Sequence, residues 1–162
     1  MKKSIIRSFL DNVKKIISKI KTTQPKEDIV MKKREMIMST LEKMGCSPKV
    51  DDDGDIMLRY QMKTIYAMVG DEEEQYVSIV FPQFNEIDEG KETLVLAVCN
   101  KMTRELKLAK VYIDQTFKTV TATCEFFYTD EEALEKNLRY SLEMLGMIRT
   151  IYRNDLAELS ED

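Results

Sequence analysis

Chemistry in this chain would have to come from carboxylates and thiols, because its 162 residues include no histidine. That absence removes the commonest general base, the histidine-dependent triads and most zinc sites together. Carboxylates cluster at residues 71–74 and 86–92. Paired acids can do acid–base work, but these runs sit among other charges in segments that read as turns, the usual setting of a solvated loop. Asp51-Asp52-Asp53-Gly54-Asp55 invites a calcium reading. An EF-hand loop needs Asp first, Gly sixth and a bidentate Glu twelfth. With Gly54 sixth, Lys49 is first and Tyr60 twelfth, so both end ligands are wrong. A polar turn with Gly54 at positive φ accounts for the segment. Cys46, Cys99 and Cys124 form no Cys-x-x-Cys pair, which argues against a disulfide framework or a zinc site. There is no Gly-rich phosphate loop and no Gly-x-Ser-x-Gly elbow. No catalytic residue, metal or cofactor is expected.

The elements that would carry any site follow from periodicity. In residues 3–21, Ile5, Ile6, Phe9, Leu10, Val13, Ile16, Ile17 and Ile20 fall on one helical stripe, opposite a polar face. Pro25 breaks the pattern. A second helix reads from 26 to 44, with Ile29, Val30, Met36, Ile37, Leu41 and Met44 inward and Gly45 as its stop. Alternation then predicts strands at 56–62, 64–69 and 76–81 in an antiparallel meander. Residues 88–104 read as a helix on Leu94, Ala97, Val98, Met102 and Leu106. Residues 108–113 and 119–128 form a hairpin with Val120, Ala122, Cys124, Phe126 and Tyr128 on one face. Thr129 or Asp130 caps a long final helix, whose stripe is Leu134, Leu138, Leu142, Leu145, Ile148, Ile151 and Tyr152. Most of the eleven methionines fall in these patterns and read as core filling. The fold class is α+β, an antiparallel sheet of about five strands flanked by helices in the order α-α-βββ-α-ββ-α. Residues 1–24 stand apart from a single domain at 26–162.

Charge is uneven. Residues 1–26 hold eight basic side chains against Asp11, a net +7, which leaves −11 on residues 27–162 from the total of −4. The basic amphipathic head, with Lys14, Lys15 and Lys19 beside its apolar stripe, is the candidate contact surface. It suits docking on its own acidic domain or on a partner subunit. An anionic membrane surface is the second reading, placed lower because Phe9 is the segment's only aromatic. Nucleic acid ranks below both, since the basic face lacks interleaved aromatics. Arg7, Asp11, Lys14 and Lys15 interrupt any signal-length apolar run. With unpaired thiols and no transmembrane stretch, the cytoplasm is the expected location.

Three stretches carry a family resemblance. Leu41-Glu42-Lys43-Met44-Gly45 precedes the acidic turn and two strands. Val98-Cys99-Asn100-Lys101-Met102 runs into Leu108-Ala109-Lys110-Val111-Tyr112-Ile113. Residues 120–127 lead into an acidic helix start and a long terminal helix. From about residue 40 to 159 the chain resembles the YbjN family, whose fold is similar to that of type III secretion chaperones. The resemblance implies a sheet flanked by helices, a homodimer, and no catalytic residues to carry over. Secretion chaperones of this fold hold an extended client segment against helix and sheet surfaces. The expected function is therefore a non-enzymatic protein-interaction module, chaperone-like or regulatory, with a protein partner of unspecified identity. The alternative is a peripheral membrane protein anchored by residues 3–21.

Overall fold

The computed structural model describes residues 26–70 and 75–161. The helix expected over residues 3–21 and the acidic turn at 71–74 lie outside them.

Helix α1, Lys26–Lys43, ends because Gly45 adopts a left-handed φ of +84°. Gly45 N–H then donates to Glu42 O at 2.9 Å and Cys46 N–H to Leu41 O at 3.0 Å, the bond pair that satisfies orphan carbonyls at such a terminus. Its buried stripe is Lys33, Ile37, Thr40 and Leu41. Met36, expected inward, is 38 % exposed, and Lys33 is buried in the adjoining turn instead. The lysine stem packs as hydrocarbon while its Nζ reaches Gly70 O at 3.2 Å.

Six strands follow where about five were expected: β1 Lys49–Val50, β2 Ile56–Tyr60, β3 Lys63–Met68, β4 Tyr76–Glu86, β5 Ala109–Ile113 and β6 Thr119–Phe127. The additional one, β1, is two residues long and too short to show a period. The sheet order is β1-β2-β3-β4-β6-β5, with every pair antiparallel. Strand β4 runs beyond the expected end at Phe81, crossing Pro82 through a bulge between Phe81 and Asn85. Gln83, at φ +48°, donates its N–H to Thr121 Oγ1 there. The bulge returns Phe84 to the core, edge-on to Tyr152 at 5.4 Å between ring centroids.

Helix α2, Glu92–Glu105, confirms the helical reading of its segment with a rotated face. Val95, Val98, Cys99 and Met102 are buried, whereas Ala97 faces solvent. Helix α3, Glu131–Ser160, starts at Asp130, whose carboxylate accepts from Ala133 N–H at 2.8 Å. That bond holds the Asp130 carboxyl below the usual carboxylate range. The three helices pack on one face of the sheet, and one continuous core joins them to Leu58, Ile65, Ile79, Ala122, Cys124 and their neighbours. Lys101 of α2 ties to α3 through Asp155 at 2.8 Å and Glu158 at 2.7 Å. Only part of the methionine reading holds: Met102 is buried, but Met31, Met36, Met62, Met68 and Met147 are exposed.

Candidate functional site

An antiparallel sheet ends in two edges, each offering backbone N–H and C=O groups to any strand that approaches. The two edges of this sheet are treated differently. At the β5 edge, hydrogen-bonded pairing with β6 leaves Val111 facing outward. Thr103, on α2, meets it: its hydroxyl accepts from Val111 N–H at 2.9 Å and donates to Val111 O at 3.0 Å. That edge is blocked at its middle residue by a side chain.

The other edge is not closed in this way. Strand β1 pairs with β2 only at Lys49↔Met57 and Val50↔Ile56. The Asp51 turn fixes this register: Asp51 N–H donates to Asp55 O at 2.9 Å, and the Asp51 carboxylate accepts from Asp53 N–H and Asp55 N–H. Alternation makes Arg59 the next residue of β2 whose backbone points across this edge. Continuing the register would set Ser47 opposite Arg59, but pairing stops at Lys49, with Pro48 between. From Leu58 to Tyr60 the edge therefore has no strand partner among the described residues.

A groove of about 470 Å³ opens beside that edge. The α1 terminus lines one side with Met44, Gly45 and Cys46, and β2 lines the other with Met57 and Arg59. Burial pushes the half-buried Cys46 thiol above its ordinary pKa. At the far end the chain turns through Gln61 and Met62, at φ +47° and +62°, the left-handed pair of a two-residue hairpin loop. Helix α3 backs this turn closely: a Cβ on Gly146 would lie 2.8 Å from Gln61 Oε1 and 3.3 Å from the Tyr60 ring. The groove is set between two rigid elements.

Of the residues singled out from sequence, Ile5, Ile6, Phe9, Leu10, Val13, Lys14, Lys15, Ile16, Ile17, Lys19 and Ile20 all lie outside the described residues. Glu86, Glu89 and Glu92 border a cleft with Phe117; of the expected acidic turn at 86–92 only residues 87–91 link elements, since Glu86 ends β4 and Glu92 opens α2. No three His, Cys, Asp or Glu side chains among the described residues converge as a metal site would require. No helix among them is long and apolar enough to cross a membrane. The β2 edge was missed in the sequence. Its only signal there is Pro48, standing between a helix stop and a two-residue strand.

The profile of a family described as TY-Chap1, T3SS (YopN, CesT) and YbjN peptide-binding chaperone 1, matches residues 32–158. Among solved structures, the fold is similar to that of YbjN from E. coli, with a TM-score of 0.57 at 12% identity over 76% of this chain and 92% of that one. It is also similar to an uncharacterized protein from Methanothermobacter thermautotrophicus, with a TM-score of 0.51 at 12% identity over 80% of this chain and 97% of that one. No curated protein matches.

Proposed function

Since the chain belongs to the family of T3SS (YopN, CesT) and YbjN peptide-binding chaperones, we propose that it is a non-enzymatic module that takes an extended segment of a partner protein as an added strand along the open edge of β2. The observation that carries this reading is the asymmetry of the two edges. The hydroxyl of Thr103 occupies the outward backbone groups of Val111, while Arg59 lies beside a groove with no strand opposite it among the described residues. Strand addition draws its affinity from main-chain hydrogen bonds and its selectivity from pockets for alternate side chains. Here Met44, Cys46 and Met57 supply an apolar pocket, and Lys49 and Arg59 supply positive charge at its margin. An extended segment with apolar residues at alternate positions and an acidic flank fits that lining.

The test is a titration of labelled full-length protein with a library of unstructured peptides, read by backbone amide shifts. Binding should move the amides of Met44–Ser47 and Met57–Gln61 together. Arg59→Pro removes the outward N–H at an edge where proline is tolerated, so it should abolish binding while leaving the remaining amide shifts in place. Peptides that perturb the helix surfaces alone, or that bind Arg59→Pro unchanged, would remove this edge as the site. The homodimer expectation enters the same experiment. Pairing through β2 edges of two copies would appear as concentration-dependent broadening of the same amides without peptide.

A further inference from the structure

The lane beside β2 is blocked at one end, because Lys49 and Val50 already lie opposite Met57 and Ile56. A segment laid beside Leu58–Tyr60 meets β1 there and can go no farther in line. At its other end the lane passes the β2–β3 turn, where Met62 is 90 % exposed. Direction follows from the sheet, in which every pair is antiparallel. A strand added antiparallel to β2 enters past Met62 and arrives at Lys49 with its carboxyl end foremost.

The charge at the blocked end suits that arrival. Lys49 lies opposite Met57, so alternation puts the Lys49 and Arg59 side chains on the same side of the sheet as diagonal neighbours. Both are exposed, and among the described residues neither meets a carboxylate, whereas Lys43, Lys101 and Lys110 each do. Adjacent like charges on a sheet cost stability, and an anion between them removes that cost. Ser47, exposed and lining the same groove, adds a hydroxyl. The α1 terminus offers little opposition to an anion, because the Thr40, Leu41 and Glu42 carbonyls already accept from Met44, Cys46 and Gly45 N–H. Asp51, two residues beyond Lys49, is likewise engaged by Asp53 and Asp55 N–H.

We propose that this site takes the C-terminus of a partner protein, an inference that rests on the strand-addition reading above. The last residues of the partner pair antiparallel with β2 at Arg59, and the free α-carboxylate stops between Lys49 and Arg59. Its charge is met by two cations in a position that only a chain end reaches in line. An internal segment must bend out of the lane at Lys49, giving up that pairing.

The probe is a hexapeptide with leucine or valine at alternate positions and serine or threonine between, its N-terminus acetylated. It is made as the free acid, as the C-terminal amide, and with four further residues beyond the last. Added to labelled full-length protein, the free acid should move the amides of Met57–Gln61 and bind about tenfold tighter than either other form. Lys49→Gln, at an exposed position, should bring that ratio toward one. A nitroxide on the first residue of the free acid should broaden Met62 and Lys63 and spare Lys49 and Val50. Equal affinity for the three forms, an unchanged ratio in Lys49→Gln, or broadening at Lys49 instead would overturn the carboxylate inference and leave strand addition standing. If no form moves the β2 amides, both fall.

Discussion

The hydroxyl of Thr103 sits 2.9 Å from the amide nitrogen and 3.0 Å from the carbonyl oxygen of Val111, so one side chain satisfies both outward backbone groups at the middle of β5. An exposed strand edge invites pairing between molecules, and the Thr103 hydroxyl stands in the way at Val111. No such block stands at the β2 edge beside the groove at Cys46 among the described residues.

Thr103→Val keeps the shape and removes the hydroxyl, leaving two partly buried backbone groups without their partner. A loss of about 1–3 kcal/mol is expected in chemical denaturation, with self-association appearing on sedimentation as concentration rises. Thr103→Ser retains the hydroxyl and should do neither. If the two variants behave alike, the hydroxyl is not what closes the edge.

Thiol modification separates the three cysteines. Burial pushes Cys99 to a pKa of about 11 and Cys124 to about 12, and neither thiol is accessible. Cys46 is half-buried and only raised in the same direction. Native protein should therefore take up a maleimide at Cys46 alone, faster as pH rises and the thiolate forms, and a bound peptide should slow that uptake. Uptake at Cys99 or Cys124 at a comparable rate would contradict the packing described.

Cys124 also sets an alkaline limit on stability. Its folded thiol holds the proton more tightly than the ordinary value of 9.0. The folded state thus binds more protons than the unfolded state once pH exceeds about 9. The stability contribution of the neutral thiol is whole below pH 9 and is lost as pH climbs toward 12. Cys124→Ala should be less stable than the parent near pH 7 by about 1 kcal/mol. That gap should narrow in denaturation curves collected above pH 9. A constant gap across the range would mean that the thiol is not titrating against folding.

Gly146 tests how tightly α3 backs the groove. Gly146→Ala gains about 1 kcal/mol of helix propensity and displaces the mobile Gln61 amide, with the Tyr60 ring at 3.3 Å as the harder neighbour. The two effects oppose each other, so thermal melts should show a change of no more than about 1 kcal/mol. Gly146→Leu drives into the Tyr60 ring and the β2–β3 turn. It should cost about 1–3 kcal/mol and shift the amides of Tyr60 and Gln61. A neutral Gly146→Leu would show that the contact is loose.

Wherever burial imposes a period, the chain could be read from its residues. Leu134, Leu138, Leu142, Leu145, Ile148 and Tyr152 are all buried in α3, and Val120, Ala122, Cys124, Phe126 and Tyr128 are all buried on or beside β6. These stripes hold because 3.6 and 2 are the only spacings that bring many side chains to one surface. Gly45 and Gly54 were legible for a local reason, since each takes a left-handed backbone that other residues resist. What tertiary structure alone decided is non-periodic and depends on neighbours distant in sequence. Lys33 is buried because Gly70 O waits 37 residues away. The bulge in β4 exists where Thr121 receives Gln83. Thr103 blocks the middle of one edge because α2 packs against β5, and Arg59 has no strand opposite it among the described residues because β1 pairing stops at Lys49. Side-chain periodicity records which face of an element is buried. Which edge of a sheet is occupied depends on backbone groups that are the same in every residue, so that choice appears only once the strands are in place.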